Sequence, residues 1–280
     1  MKRFVLYILT LCVFAVGCHR GERNISDDGV VKIETRCDSA LYVCYANSAM
    51  GPDTFGVEKR YCIAWPENAS AELYDEILRL AFRDSIGDFD VTTEHFLDDL
   101  MLFDDDTLIQ AALVHEIDKS AWYSFEYVNV DCLQTGNLIG FTVATENYVR
   151  FAAHGMYSAH YITFDTDKNR IVRLGDLVDT ALLGPVIVRA VEDLVINGDV
   201  KGSLFEEFAE AESFPVPKDF FIDTGRTCIT LVYQLYDIAP YACGIQSVVL
   251  PIYWLSKHLE LTPYAKELFG EGSYLDVAEK

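Results

Sequence analysis

The sequence predicts an α+β protein in which antiparallel sheets built from hairpins are covered by two main helices. Three observations predict this fold class. Strand-like segments follow one another in runs, short turn sequences separate neighbouring runs, and two other stretches repeat their apolar residues at helical spacing. Consecutive strands with few helices between them are typical of antiparallel sheet rather than of alternating α/β folds.

The N-terminal part predicts two strands and one amphipathic helix. Residues 31–36 (VKIETR) and 59–66 (KRYCIAWP) read as strands, and Pro66 ends the second because it cannot donate to a strand ladder. Ser70 is a favoured N-cap residue, and Gly87 marks the end of the following helix. The apolar residues of that helix recur at helical spacing: Leu73, Ile77, Leu80 and Ala81.

Two hairpins are predicted in the middle of the chain. Residues 122–133 and 137–151 are long strand-like segments separated by a Gln-Thr-Gly turn at 134–136. Residues 159–174 form the second hairpin, with its turn at 165–169. These two pairs supply most of the predicted sheet.

Acidic residues imitate cation sites at two places. The segment 92–119 predicts one or two short helices, and its run Asp104–Asp106 is expected to be a solvated turn or cap because no further oxygen ligands lie at a recognisable spacing. The second hairpin turn has oxygen-bearing residues at calcium-loop positions: Asp165, Asp167, Asn169 and Asp176. Arg170 stands where that loop requires glycine, so an ordinary turn is expected there too.

The C-terminal part predicts a second long helix over about residues 179–196, then a short acidic helix in 203–212. Two strands follow, 227–235 (TCITLVYQL) and 246–252 (QSVVLPI). The loop between them, 236–244, reads YDIAPYACG and is unusually apolar for a strand connection.

This loop is predicted to be a rigid corner. Pro240 cannot donate to a ladder, so strand pairing is expected to stop there, and Gly244 gives the backbone the freedom to enter the next strand. Tyr236 and Tyr241 would then be held in fixed positions.

The first eighteen residues, MKRFVLYILTLCVFAVGC, predict export. A basic start and a short apolar run ending in small residues before a cysteine resemble the lipobox of bacterial lipoproteins. On this interpretation residues 1–17 are a signal peptide, Cys18 carries the lipid that binds the membrane, and residues 18–29 form a polar tether. The expected location is the bacterial cell envelope, periplasmic or at the cell surface. The alternative is an ordinary secretory signal that leaves Cys18 as a free thiol.

The net charge of the chain restricts the partners that it can bind. The chain carries 44 Asp and Glu against 22 Lys and Arg, a net charge of −22, which repels nucleic acid and favours a cationic partner.

Six cysteines outside the leader and the lipid site can form disulfides or remain as buried thiols, and both possibilities stay open. Their spacing predicts no metal site, and no cofactor motif is found. These cysteines are Cys37, Cys44, Cys62, Cys132, Cys228 and Cys243.

Four segments together carry a family resemblance: AAHGMYSAHYITFD, RIVRLGDLV, YDIAPYACG and VVLPIYWL. The region from about 125 to 262 resembles the C-terminal domain of unknown function of RsiV-type lysozyme-sensing anti-sigma factors and PdaC-type peptidoglycan deacetylases. The resemblance implies an extracytoplasmic α+β module that recognises wall material or a wall-directed protein, without the deacetylase activity, which belongs to a separate domain. It divides the chain into an N-terminal α+β region, 30–120, and this domain, 121–270, packed together as one unit.

Four residues are candidates for binding: His154, Tyr157, Tyr236 and Tyr241. Tyrosines have aromatic faces and polar tips that suit sugars and protein contacts, and they are equally ordinary core residues. His154 could pair with His160 on one strand face for ligand binding or proton transfer, but a structural role at a hairpin corner is favoured.

The expected function is a non-catalytic, lipid-anchored binding protein that recognises a wall glycan or a basic wall-directed protein such as a lysozyme. No catalytic signature of the common hydrolase, protease or nucleotide-binding classes is found. The alternatives are an envelope polysaccharide hydrolase that uses His154 and a carboxylate, and a purely structural lipoprotein.

Overall fold

The computed structural model describes residues 31–48, 51–83, 88–100, 108–116, 123–195 and 212–270. The predicted signal peptide, 1–17, and the whole predicted tether, 18–29, which begins with Cys18, lie outside the described residues. So do Gly87, Asp104–Asp106 and all but the last residue of the predicted acidic helix.

The α+β class is confirmed, with a large sheet formed mainly from antiparallel pairs. Within the described residues, seven strands form this sheet in the order β3-β1-β2-β4-β5-β6-β7. Their bounds are β1 Lys32–Ser48, β2 Gly51–Glu67, β3 Leu108–Leu113, β4 Tyr123–Thr135, β5 Leu138–Tyr148, β6 Met156–Asp165 and β7 Arg170–Val172.

Two features of the large sheet differ from the prediction. β2 and β4 run parallel, with Arg60 opposite Tyr127, because two helices and β3 intervene along the chain between them. Part of the acidic segment 92–119 is not helical, since β3 pairs with β1 as an edge strand. The segment LIQAAL is short, and its polar and apolar residues alternate too weakly to predict a strand.

A smaller sheet and the helices complete the fold. The small sheet has the order β10-β9-β8 among the described residues. Its strands are β8 Asp219–Ile222, β9 Cys228–Tyr233 and β10 Gln246–Pro251. The helices are α1 Ala71–Phe82, α2 Phe89–Asp98, α3 Leu174–Leu177, α4 Leu183–Val195, α5 Ile252–His258 and α6 Pro263–Phe269.

The helix α1 covers one face of the large sheet. Its N-cap is Ser70, as predicted, and the Ser70 hydroxyl accepts from the amide of Leu73. Leu73 and Ile77 are fully buried against strand residues such as Phe141. Burying each of these side chains stabilises the fold by about 1.5 to 3 kcal/mol, so the amphipathic stripe fixes which side of the sheet is covered.

The helix α4 is the second main helix and packs in a separate hydrophobic cluster. Ile187 on α4, Leu231 on β9 and Leu255 on α5 are fully buried there. The small sheet therefore has its own core, which also includes Leu138 at the start of β5.

Side chains join the small sheet to the free edge of β6. The Gln234 side-chain amide accepts from the amide of Ala159 at 3.1 Å and donates to its carbonyl at 2.7 Å, as a neighbouring strand would. The Asp219 carboxylate accepts from the amide of Tyr161, from Gln234 and, when Nδ1 carries the proton, from His160. These bonds cover an edge that would otherwise expose unpaired backbone groups.

The hairpin turn at 165–169 is an ordinary turn, as predicted. Asp165 Oδ1 accepts from the amides of Asp167 and Lys168, and Oδ2 accepts from the Tyr264 hydroxyl. Asp176 is paired with Arg170 at 2.9 Å. Both carboxylates are thus bonded within the turn and its neighbours.

The cysteines divide between the two possibilities left open. Cys37 and Cys62, directly opposite each other on β1 and β2, form a disulfide. The free cysteines among the described residues are Cys44, Cys132, Cys228 and Cys243.

Candidate functional site: a tyrosine corner

The loop between β9 and β10 forms a tight corner. Pro240 has φ −60° and ψ 155° and precedes a single 3₁₀ turn, Tyr241–Cys243. Gly244 ends the turn with φ +71° and ψ −168°, a conformation essentially restricted to glycine. A Cβ at Gly244 would also lie 3.2 Å from the Tyr157 hydroxyl oxygen, so the loop and β6 approach closely here.

The connection between β5 and β6 brings His154 to the same corner. Gly155 lies so near the preceding strand that a Cβ would stand 2.8 Å from the Asn147 carbonyl oxygen. The sequence Ala153-His154-Gly155 therefore uses glycine for a close backbone approach. His154 precedes β6, which begins at Met156.

The structure brings together all four residues that the sequence singled out. The ring of Tyr241 is stacked on His154, with centroids 3.7 Å apart and an interplanar angle of 19°. Tyr157 meets Tyr241 edge to face at 6.0 Å, and Tyr236 lies tilted at 6.1 Å. We call His154, Tyr157, Tyr236 and Tyr241 the tyrosine corner.

The tyrosine corner lies at the surface. Tyr236 is 57% exposed and has φ +68°, an unfavourable conformation for a bulky residue. His154 is exposed, and its Nδ1 lies 2.9 Å from the carbonyl oxygen of Gly155. His154 thus contacts a backbone carbonyl and stacks on Tyr241 at the surface, and its expected structural role at a hairpin corner stays a prediction.

The phenol of Tyr241 stays protonated at neutral pH. Its pKa is raised by burial first, and further by the neighbouring phenols of Tyr157 and Tyr236 and by the negative charge of Glu146. Tyr241 can thus offer a hydroxyl donor as well as a ring.

The two histidines of the segment have different partners. His160 Nδ1 lies 3.0 Å from Asp219 Oδ2, while His154 stacks on Tyr241. The strand alternation that would have placed both on one face does not include His154. Among the described residues, no carboxylate is bonded to His154.

Sequence reasoning missed Glu146, an exposed residue of β5 beside the corner. It lies directly opposite Tyr157 on β6 and opposite Tyr127 on β4. The register of the hairpin decides this pairing, and the turn lies at 136–137 rather than at the predicted 134–136, because Gln134 and Thr135 still pair within the strands.

The described residues contain no group of three or more His, Cys, Asp or Glu side chains arranged to hold a metal ion. None of the described helices is long and apolar enough to cross a membrane. An open pocket is lined by residues 256–261 and Lys266, none of which belongs to the tyrosine corner.

The segment of the chain that contains the loop between β9 and β10 matches a protein family of unknown function. Residues 189–253 match the family model described as protein of unknown function (DUF3298). This DUF3298 segment includes Tyr236, Tyr241 and Gly244, whereas His154 and Tyr157 precede it. No curated protein matches the chain.

Solved structures described as DUF3298 family proteins are similar to this chain. A DUF3298 family member from Bacteroides fragilis is 18% identical, with a TM-score of 0.55, and the match covers 84% of this chain and 97% of that chain. A DUF3298 family protein from Pseudomonas aeruginosa is 14% identical, with a TM-score of 0.48, covering 83% and 96%. Because only 18% of the residues are identical, the similarity to the Bacteroides fragilis protein shows a common fold and nothing more.

Proposed function

We propose that the chain is a lipid-anchored binding protein of the bacterial cell envelope whose tyrosine corner contacts a basic wall-directed protein, a class that includes lysozymes. The observation that carries this proposal is the corner itself. Four ring-bearing residues from two loops and a strand meet at the surface, and Tyr236 is held exposed in an unfavourable backbone conformation. Backbone strain of this kind is concentrated at functional sites.

The form of the corner favours a contact surface over a hydrolytic site. One face of the Tyr241 ring is occupied by His154, and no carboxylate bonds to His154 among the described residues. A general acid or base needs a partner and space for a reacting group. Rigid tyrosines instead offer large contact area at low conformational cost, as at protein interfaces.

The charge of the chain supports a basic partner. A net charge of −22 attracts cationic proteins over a distance and accelerates their encounter at low ionic strength. The resemblance to lysozyme-sensing anti-sigma factors points to the same class of partner, and the DUF3298 segment holds the two tyrosines of the loop.

Surface plasmon resonance of the full chain in detergent micelles tests the proposal, with a lysozyme and soluble wall fragments as separate analytes. We expect the lysozyme to bind, and added salt to slow its association. Tyr241→Ala should accelerate dissociation about tenfold, because a buried interface tyrosine contributes more than about 1 kcal/mol. Tyr253→Ala is the control, since Tyr253 is an exposed tyrosine on α5, beyond the far end of β10.

Equal dissociation rates for the two variants would contradict the role of the corner. Binding of the wall fragments alone would favour the glycan as the ligand instead. No binding of either analyte by a folded chain would remove the proposed function.

A further inference from the structure

The open face of the large sheet carries a row of aromatic and charged side chains beside the tyrosine corner. Tyr127 on β4 lies opposite Glu146 on β5, and Glu146 lies opposite Tyr157 on β6. Residues directly opposite in antiparallel strands project to the same face, with Cβ atoms about 4.5 to 5.5 Å apart. A carboxylate is therefore flanked by two tyrosines, and Tyr157 continues the row into the corner.

Glu146 has no hydrogen-bond or ion-pair partner among the described residues, and it is exposed. Its charge nevertheless reaches the corner, since it contributes to the raised pKa of Tyr241. The Tyr127 ring already contacts Arg60 and is stacked on Phe125, so a cation that approaches this solvated carboxylate from outside meets the ring of Tyr157.

The other end of the row shows how a cation binds to this arrangement. Arg60 on β2 lies opposite Tyr127, and its guanidinium carbon is 4.4 Å from the centroid of the Tyr127 ring. The Tyr127 hydroxyl donates to Glu58 at 2.7 Å. On β2 and β4 the chain thus combines a carboxylate, a tyrosine and its own cation. On β5 and β6 it repeats the carboxylate and the tyrosine, and no described residue pairs a cation with Glu146.

We infer that Glu146, between Tyr127 and Tyr157, binds an arginine or lysine side chain of the basic partner. The inference rests on the proposed function and names the chemistry that the partner presents. Ring faces attract such cations, and an adjacent carboxylate adds a charge-assisted hydrogen bond. Strands lie about 4.8 Å apart, so the guest cation would stand about two strand spacings from Arg60, where repulsion is largely screened at physiological salt.

The site is close enough to the corner for one loop of the partner to use both. Tyr157 belongs to the row and to the corner, and its ring centroid lies 6.0 Å from that of Tyr241. A loop of the partner that covers Tyr241 and Tyr236 could therefore place an arginine or lysine side chain next to Glu146.

The test compares two isosteric charge removals, Glu146→Gln and Glu94→Gln. Glu94 is an exposed residue of α2, on the opposite side of the sheet, and it has no bonded partner among the described residues. The probes are a lysozyme and a nona-arginine peptide, measured with the full chain at low and at physiological salt. We expect Glu146→Gln to raise Kd for both probes about five- to tenfold at low salt and less at physiological salt. Glu94→Gln should change Kd less than about twofold, and both thermal midpoints should equal that of the wild type.

The outcomes separate this inference from the proposed function. If Tyr241→Ala weakens lysozyme binding while Glu146→Gln behaves like Glu94→Gln, the inference is overturned and the proposed function stands. If the lysozyme does not bind but nona-arginine binding depends on Glu146, the cation site stands and the proposed function fails. Binding of neither probe overturns both.

Discussion

Gly244 fixes the backbone conformation of the loop at the tyrosine corner. Its φ of +71° and ψ of −168° define a conformation essentially restricted to glycine, and the Tyr157 hydroxyl lies 3.2 Å from the place of a Cβ. Any side chain here meets both a backbone penalty and a neighbour that must move. The residue therefore links the loop conformation to the position of a ring in the corner.

We predict that Gly244→Val lowers the thermal midpoint by several degrees. The backbone penalty is about 1 to 2 kcal/mol, and each kcal/mol lowers the midpoint by about 2 to 4 °C in a domain of this size. Gly175→Ala is the control, because Gly175 has ordinary φ and a Cβ there would meet nothing within 4 Å. Differential scanning calorimetry checks the pair, and an unchanged midpoint for Gly244→Val would mean that the loop adapts without cost.

At the residue scale, the sequence predicted the members of the corner but not all of its environment. Tyr236, Tyr241 and Gly244 stand out because an apolar, proline-containing loop between strands is unusual. The stacking of His154 on Tyr241 was not predictable, since the two residues lie 87 positions apart in the sequence. Glu146 gives no local signal, because an exposed acid on a strand is common until the register reveals its neighbours.

At the scale of elements, the side chain of Gln234, which directly follows β9, bonds to the edge of β6. Gln234 makes two hydrogen bonds to the backbone of Ala159 and a third to Asp219. The same Asp219 holds His160 and the amide of Tyr161. Removing the amide would leave the backbone groups of Ala159 and one side of Asp219 without these partners.

We predict that Gln234→Ala lowers the free energy of unfolding by about 2 to 3 kcal/mol, since each lost hydrogen bond contributes about 1 kcal/mol. Gln134→Ala should cost less than about 0.5 kcal/mol, because the Gln134 side chain is exposed and, among the described residues, bonds only to the Gly136 carbonyl. Urea unfolding measures both. Equal stabilities for the two variants would show that water replaces Gln234 at the strand edge.

Elements with local signals were predictable, and long-range pairings were not. The helix α1 follows from Ser70 and its apolar stripe, and the β4–β5 hairpin follows from its turn. The parallel pairing of β2 with β4 and the insertion of β3 at the sheet edge depend on contacts between distant segments. The alternation of polar and apolar residues specifies which face of a strand is buried, but it does not specify which strand lies beside it.

At the scale of the whole molecule, the large sheet offers two unlike faces. One is buried under α1 and α2, while the other carries the row through Glu146 and ends at the tyrosine corner. The strands of this open face come from both regions that the sequence delimits, 30–120 and 121–270. The residues proposed to contact a partner, from Tyr127 to Tyr241, all lie in the second region, and the first supplies the neighbouring strand β2 with Arg60.

An anchored chain has to hold this face where a wall-directed protein can reach it, and Cys18 is the residue proposed to do so. We predict that a labelled fatty acid is incorporated into the wild type and not into Cys18→Ser. Cys12→Ser is the matched control, because Cys12 lies within the predicted leader and its loss should leave the label in place. Equal labelling of the wild type and Cys18→Ser would exclude lipidation at this residue. Because Cys18 and the predicted tether, 18–29, precede the sheet and the tyrosine corner in the sequence, we expect unlabelled Cys18→Ser to bind a lysozyme with the affinity of the wild type, which would assign anchoring and recognition to separate parts of the chain.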